Sequence, residues 1–191
     1  MRLATQVIGM AALMLMLALG CAHKQPPPPA VPQLQARDVE YSSPSAHFSL
    51  RYPSAWSSRP TSDYVLLLER RDAGDAAKVT VDVPYIPLHL PGMVTMNRVV
   101  DGYVQNWNKR LTDFSVVERR DDMLAGSPAQ RLVITGRDRD GARQGLERKL
   151  AALITIRNEQ VYIVQANAPP ESFDAALAAM TKIVRDWTWT N

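Results

Sequence analysis

Phe48, Leu50 and Tyr52 alternate with Ser49 and Arg51, so one side of this stretch is apolar and the other polar. A period of two marks a half-buried strand, and Pro53 ends it. A turn-rich segment follows, Ser54 to Ser62, in which Trp56 is expected to cap the open end of a core. Tyr64 to Arg70 reads as a second strand. Lys78 to Tyr85 reads as a third, with Val79, Val81 and Val83 facing one way and Thr80 and Asp82 the other. Asp72-Ala73-Gly74-Asp75 supplies the turn between them.

Past the proline-rich loop Pro84 to Gly92 the period changes. Met96, Val99, Val100, Tyr103, Trp107 and Leu111 recur at three- and four-residue spacing, which predicts a helix from Met93 to Thr112 with one apolar stripe. Asn97, Arg98, Asp101, Gln105 and Asn108 fall on its opposite face. Ser115 to Asp121 and Ala129 to Arg137 then read as strands around a Gly126-Ser127-Pro128 turn, and Asp140-Gly141 signals a hairpin. Two longer strands, Gly145 to Arg157 and Gln160 to Ala168, meet at Asn158-Glu159. Ala152, Ile154 and Ile156 alternate with Leu153 and Thr155, so both faces of the first are apolar, as in a sheet covered by helices on each side.

Pro169-Pro170 opens a second helix. Glu171 and Asp174 lie in its first turn and Lys182 and Arg185 in its last, which suits the helix dipole. Phe173, Leu177, Met180, Ile183, Val184 and Trp187 line one face. The alternation in Trp187-Thr188-Trp189-Thr190 predicts a short terminal strand or packed tail with the tryptophans inside; an exposed Trp189 would instead offer a partner surface. These elements predict a sheet with the two-faced strand near its centre and helices on each side.

The amino terminus has a different character. Arg2 is the only charge before Cys21, and Val7 to Leu19 is apolar or glycine throughout, too short to span a bilayer and suited to a signal-peptide core. Ala18-Leu19-Gly20-Cys21 resembles the bacterial lipobox, with leucine nearer the cut than in its commonest form. That resemblance implies cleavage after Gly20 and acylation of Cys21. Pro26 to Pro29 and Pro32 favour an extended spacer with no internal hydrogen bonds. The expected layout is a signal over 1–20, an acylated tether over 21–45 and one globular domain over 46–191. Ala22 after the cysteine, where enteric lipoproteins kept at the inner membrane carry aspartate, favours the outer membrane.

Charge and chemistry narrow the picture by exclusion. The net charge is +3, and arginines alternate with aspartates in Arg119-Arg120-Asp121-Asp122 and Arg137-Asp138-Arg139-Asp140 instead of forming the basic stripe that nucleic acid requires. Cys21 is the only cysteine, so the domain has no disulfide, thiol nucleophile or thiolate metal site. His23, His47 and His89 lie far apart in sequence without metal-ligand spacing, and neither a Gly-x-Ser-x-Gly elbow nor a glycine-rich phosphate loop occurs. The paired aspartates sit beside arginines at hairpin ends, where solubility and turn formation account for them. No cofactor, metal or catalytic residue is expected.

The order of motifs is itself a signal. Phe48-Ser49-Leu50-Arg51-Tyr52-Pro53 with Trp56, a mid-chain helix, Gly126-Ser127-Pro128-Ala129, Val161-Tyr162-Ile163-Val164 and a closing helix near Trp187 together resemble the PsbP-like superfamily, including DcrB-type bacterial lipoproteins. The resemblance implies an α+β fold, an antiparallel sheet with helices on both faces (an α/β/α sandwich), used mostly as a non-enzymatic binding or assembly module. With the anchor, the spacer and the lack of catalytic residues, it leads to the expectation of a lipoprotein tied to the membrane by its lipid that binds an envelope protein partner. The alternative is a hydrolase or small-ligand carrier with a site under the 85–91 loop. Tyr85, His89 and Trp189 are the candidate contact residues.

Overall fold

A computed structural model of the protein describes residues 37–70, 77–84 and 94–190. Ten strands run through these segments: β1 (Asp38–Ser43), β2 (Phe48–Pro53), β3 (Trp56–Arg59), β4 (Leu66–Arg70), β5 (Lys78–Asp82), β6 (Leu111–Leu124), β7 (Ser127–Asp138), β8 (Glu147–Arg157), β9 (Gln160–Ala168) and β10 (Thr188–Trp189). Two α-helices accompany them, α1 (Met96–Arg110) and α2 (Pro170–Arg185). The strands form a seven-stranded sheet in the order β3-β4-β5-β9-β8-β7-β6 and a three-stranded sheet in the order β1-β2-β10. Every pairing is antiparallel. The fold is α+β.

The alternation in β2 does what its period requires: Phe48, Leu50 and Tyr52 are buried and Arg51 is exposed. Two long hairpins dominate the larger sheet. β6 and β7 turn at Ala125-Gly126, both at positive φ (45° and 82°), and β8 and β9 turn at Asn158-Glu159, also at positive φ (47° and 62°). Two residues at positive φ give a turn whose twist matches that of the strands it joins. The first turn therefore sits one step before the predicted one, and Ser127 and Pro128 already belong to β7.

Asp140-Gly141 does not form a tight hairpin. A 3-10 turn at Gly141–Arg143 lengthens the β7–β8 connection, which closes through Asp138 N–H to Leu146 O (2.9 Å) and Gly145 N–H to Asp138 O (2.7 Å). Three further boundaries move. Trp56 begins β3, opposite Arg70 of β4, and is buried. α1 stops at Arg110, and Leu111 is the extended first residue of β6. Residues 38–43, expected within the tether, pair along β2 from Asp38↔Pro53 to Ser43↔Phe48. The predicted turn at 72–75 lies outside the described residues.

The core has distinct parts. Ala151 and Leu153 of β8 belong to the largest cluster, with Phe48 and Leu50 of β2, Val79 and Val81 of β5, and Phe173, Ala176, Ala179, Met180 and Ile183 of α2. Ala152 and Ile154 belong to another, with Leu132, Val161 and Val100 of α1. Ala176 and Ala179 are buried where the sequence pattern favoured Leu177 and Val184, which are only partly covered. Alanine at the contact lets the helix approach the sheet closely, leaving the larger side chains to fill its flanks. Phe48 stacks on Trp187 with ring centroids 4.3 Å apart, and Tyr162 meets Trp187 edge-on at 6.4 Å.

Candidate functional site: a cavity beside the first helix

α1 is far less buried than α2. Thr95 caps it, accepting a hydrogen bond from Arg98 N–H through its side chain, and Val100 is its only fully buried residue. The reason lies in the sheet beneath. Under one part of α1 the floor is apolar, built from Leu132, Ala152, Ile154 and Val161. Towards β5 the floor becomes polar. Thr80 stands opposite Gln165 and Asp82 opposite Ile163 in the β5–β9 ladder, and Val161, Ile163 and Gln165 share one face of β9 because strand side chains alternate. An apolar helix pressed onto this half would desolvate polar groups, at a cost of about 1–3 kcal/mol for each one left without a partner.

A cavity of about 500 Å³ occupies that half. The residues of α1 that line it are Arg98, Val99, Gly102, Tyr103, Asn106, Trp107 and Arg110. Arg98, Gly102 and Asn106 form an i, i+4, i+8 row beside the predicted apolar stripe, so Arg98 is not on the face away from the sheet as the spacing suggested. Tyr64, Pro84 and Val94 complete the rim with the floor residues.

Hydrogen bonding organises the floor. The Tyr103 hydroxyl donates to Gln165 Oε1, which gives an almost fully buried amide oxygen a partner. Burial pushes the Tyr103 phenol far above its ordinary value, against a smaller opposing effect from a hydrogen bond with Trp107, so it stays a donor. Burial also pushes the Asp82 carboxyl up, opposed by a hydrogen bond to the Val83 backbone. Trp107 meets Tyr103 at 6.4 Å in an edge arrangement, and its ring carries the Arg110 guanidinium 5.5 Å from the centroid. The site therefore offers aromatic faces, neutral hydrogen-bonding groups and arginines, the composition of a small-molecule pocket.

The residues singled out from sequence fare differently. Trp189 is partly buried: its indole N–H donates to Ala125 O at 3.2 Å, and the Arg157 guanidinium lies 4.8 Å above its ring. It helps hold β10 against the β6–β7 turn, and the cavity lies elsewhere. Gly20, Cys21, Tyr85 and His89 lie outside the described residues. Pro84 and Val94, which bound the stretch containing Tyr85 and His89, both line the cavity. One aspartate of each pair is held by an arginine, Asp122 by Arg131 and Asp138 by Arg148, each at 2.6 Å, and Asp121 accepts a hydrogen bond from the Gln130 amide. Among the described residues no group of three or more His, Cys, Asp or Glu side chains could hold a metal ion, and no helix is long and apolar enough to cross a membrane.

Thr80, Asp82, Gly102, Asn106 and Gln165 were missed as site residues. The available signal was polarity on the second face of strands whose first face is plainly core, as in Thr80 and Asp82 beside Val79 and Val81.

No protein-family profile matches the chain, and no curated protein matches it by sequence. Solved structures do. CyanoP, the PsbP of Synechocystis sp. PCC 6803, superposes with a TM-score of 0.58 at 11% identity, over 81% of this chain and 93% of its own. LpqN of Mycobacterium tuberculosis, described as involved in cell envelope biogenesis, gives 0.57 at 16% identity over 81% and 91%. The Saccharomyces cerevisiae Ran-binding protein Mog1p gives 0.58 at 10% identity over 82% and 97%. Likeness at these identities speaks for the fold alone. The chain has a PsbP/Mog1-like α+β fold; the order of its motifs implied the PsbP-like likeness.

Proposed function

We propose that the protein is a non-catalytic binding or assembly module, an α/β/α sandwich held at the cell envelope by a lipid on Cys21 and facing the periplasm, from the outer membrane more than the inner. The observation that carries the non-catalytic reading is the chemistry of the cavity. Among its described lining residues Asp82 is the only carboxylate and there is no serine, cysteine or histidine, so the lining holds neither a Ser–His nor a Cys–His pair. Its polar floor is suited to holding a partner group by hydrogen bonds. For the sandwich, the support is that residues packed with α1 and residues packed with α2 alternate along β8.

The structural neighbours support the binding role by analogy: Mog1p is a Ran-binding protein, and LpqN is involved in cell envelope biogenesis. The envelope placement rests on the lipobox-like Ala18-Leu19-Gly20-Cys21 and the proline spacer. The partner is a second envelope protein. Co-purification from detergent-solubilised envelopes tests this: a protein retained in fixed ratio supports it, and a chain recovered alone contradicts it. Radioactive fatty-acid feeding tests the anchor, with label lost in Cys21→Ser as the expected result.

A second reading is favoured by the cavity itself, whose volume of about 500 Å³ is that of a small-molecule site. In this reading the module carries a small ligand beside α1. The hydrolase form of that alternative draws no support from the described lining.

A further inference from the structure

A second cavity, of about 490 Å³, opens at the carboxyl end of α1 and shares Trp107 and Arg110 with the first. Its character is different. Lys109, Arg110, Arg143 and Arg148 set four cations against the carboxylates of Asp138 and Asp140. Arg148 is buried and its guanidinium is engaged by Asp138 at 2.6 Å, and Asp140 offsets one more cation, so the four cations and two carboxylates leave a local excess of two positive charges. The end of a helix carries the equivalent of about half a negative charge, which disfavours an anion; this positive excess outweighs it.

We propose that the two cavities form one binding cleft for an amphipathic organic anion, a molecule with an apolar body and a single carboxylate or phosphate group. The body lies beside α1 against Val99, Ile163 and the aromatic rings, and the anionic group sits among Lys109, Arg110 and Arg143. This rests on the small-ligand reading above and gives it a chemistry.

The boundary between the cavities carries the argument. Arg110 lies over the Trp107 ring, so the indole faces an apolar body while the guanidinium above it meets the charge. Guanidinium is suited to this because its planar fork pairs with both oxygens of a carboxylate or phosphate. The amide of Asn167 lies in the basic cavity, and its Oδ1 is enclosed without a hydrogen-bond partner. A protonated phosphate or carboxyl oxygen would satisfy it, as would an ionised one with the amide turned over.

Gly102 gives the means of blocking the cleft. It lines the first cavity, and a Cβ added there meets nothing within 4 Å, so a leucine would project into open space on a helix that it otherwise suits.

The test uses the lipidated chain in nanodiscs of zwitterionic lipid, with empty nanodiscs as blank, titrated with octyl phosphate, octanol and inorganic phosphate. Octyl phosphate is expected to bind at least about tenfold more tightly than either other probe, a difference of about 1.4 kcal/mol. The double variant K109A/R143A is expected to lose about that factor, and Gly102→Leu to lose binding with an unchanged far-UV spectrum and a melting midpoint no lower than that of the wild type. Octanol bound as tightly as octyl phosphate would overturn the anion while leaving the small-ligand reading intact. Inorganic phosphate bound as tightly would overturn the apolar body, and no binding of any probe would overturn both readings. Displacement of octyl phosphate by anionic lipid in the nanodisc would make the membrane the source of the ligand; undisturbed binding would make the source soluble. Either fits the proposal.

Discussion

Gly102 sits in the middle of α1, where glycine is about 1 kcal/mol less favourable than alanine, and the space beside it is open. Gly102→Ala is therefore expected to stabilise the domain by about 0.5–1 kcal/mol, read as a higher urea midpoint at unchanged slope. Asp82 makes the opposite kind of statement. Its folded-state carboxyl is pushed above the ordinary value of 3.8 by burial, so the folded chain keeps a proton that the unfolded chain has released. Stability then falls as pH rises from that ordinary value through the folded one. Asp82→Asn should be the more stable protein at neutral pH, and the gain should vanish below the ordinary carboxyl value; melting curves from about pH 3 to about pH 8 would show both. At this scale the sequence was only half legible. Phe48, Leu50 and Tyr52 declared their burial by alternation, whereas Thr80 and Gln165 are polar residues on an inward face, and polarity alone reads as solvent.

Among the elements, β1 shows most clearly what a hydrophobic pattern leaves out. Of Asp38-Val39-Glu40-Tyr41-Ser42-Ser43 only Ser43 is buried, so no period of two is visible, and the strand is held by its backbone ladder to β2. Side chains add to this. Tyr41 donates its hydroxyl to Val65 O at 2.8 Å, and Lys182 of α2 reaches both Asp38 and Asp186 at 2.7 Å. Lys182→Ala is expected to cost about 0.5–1 kcal/mol, the range of a partly exposed ion pair. The Lys182 hydrogen bond lowers the Asp186 carboxyl, and Arg185 assists. That contribution is present above the ordinary carboxyl value of 3.8 and is lost as pH falls through the lowered one. Wild type and Lys182→Ala should accordingly converge in acid-denaturation curves. The two helices were legible because their spacing is regular; the end of α1 was not, since Leu111 continues the helical stripe while already belonging to β6. The β7–β8 connection escaped for the converse reason, its Asp-Gly pair being taken into a longer 3-10 turn.

Across the described domain, the largest buried cluster joins both sheets. Phe48 lies in the three-stranded sheet, is fully buried and packs with Val79, Leu153 and Val164 of the seven-stranded one. Phe48→Ala should therefore cost about 3–5 kcal/mol, a large share of a typical domain's stability, with a single cooperative transition in place of partial melting of the smaller sheet. The order of strands and helices along the chain was legible as a fold because it follows from periodicity and turn chemistry. The cavity was not, because it comes from strands and a helix far apart in sequence, whose register only folding sets: Asp82 opposite Ile163, Thr80 opposite Gln165.

That this domain is a binding module is tested most directly by native mass spectrometry of the chain purified from detergent-solubilised cells, beside Gly102→Leu. The prediction is a species heavier than the denatured chain, carrying a protein partner, a small molecule or both, with the small-molecule increment absent from the variant. The mass of the denatured chain alone, in both samples, would contradict it.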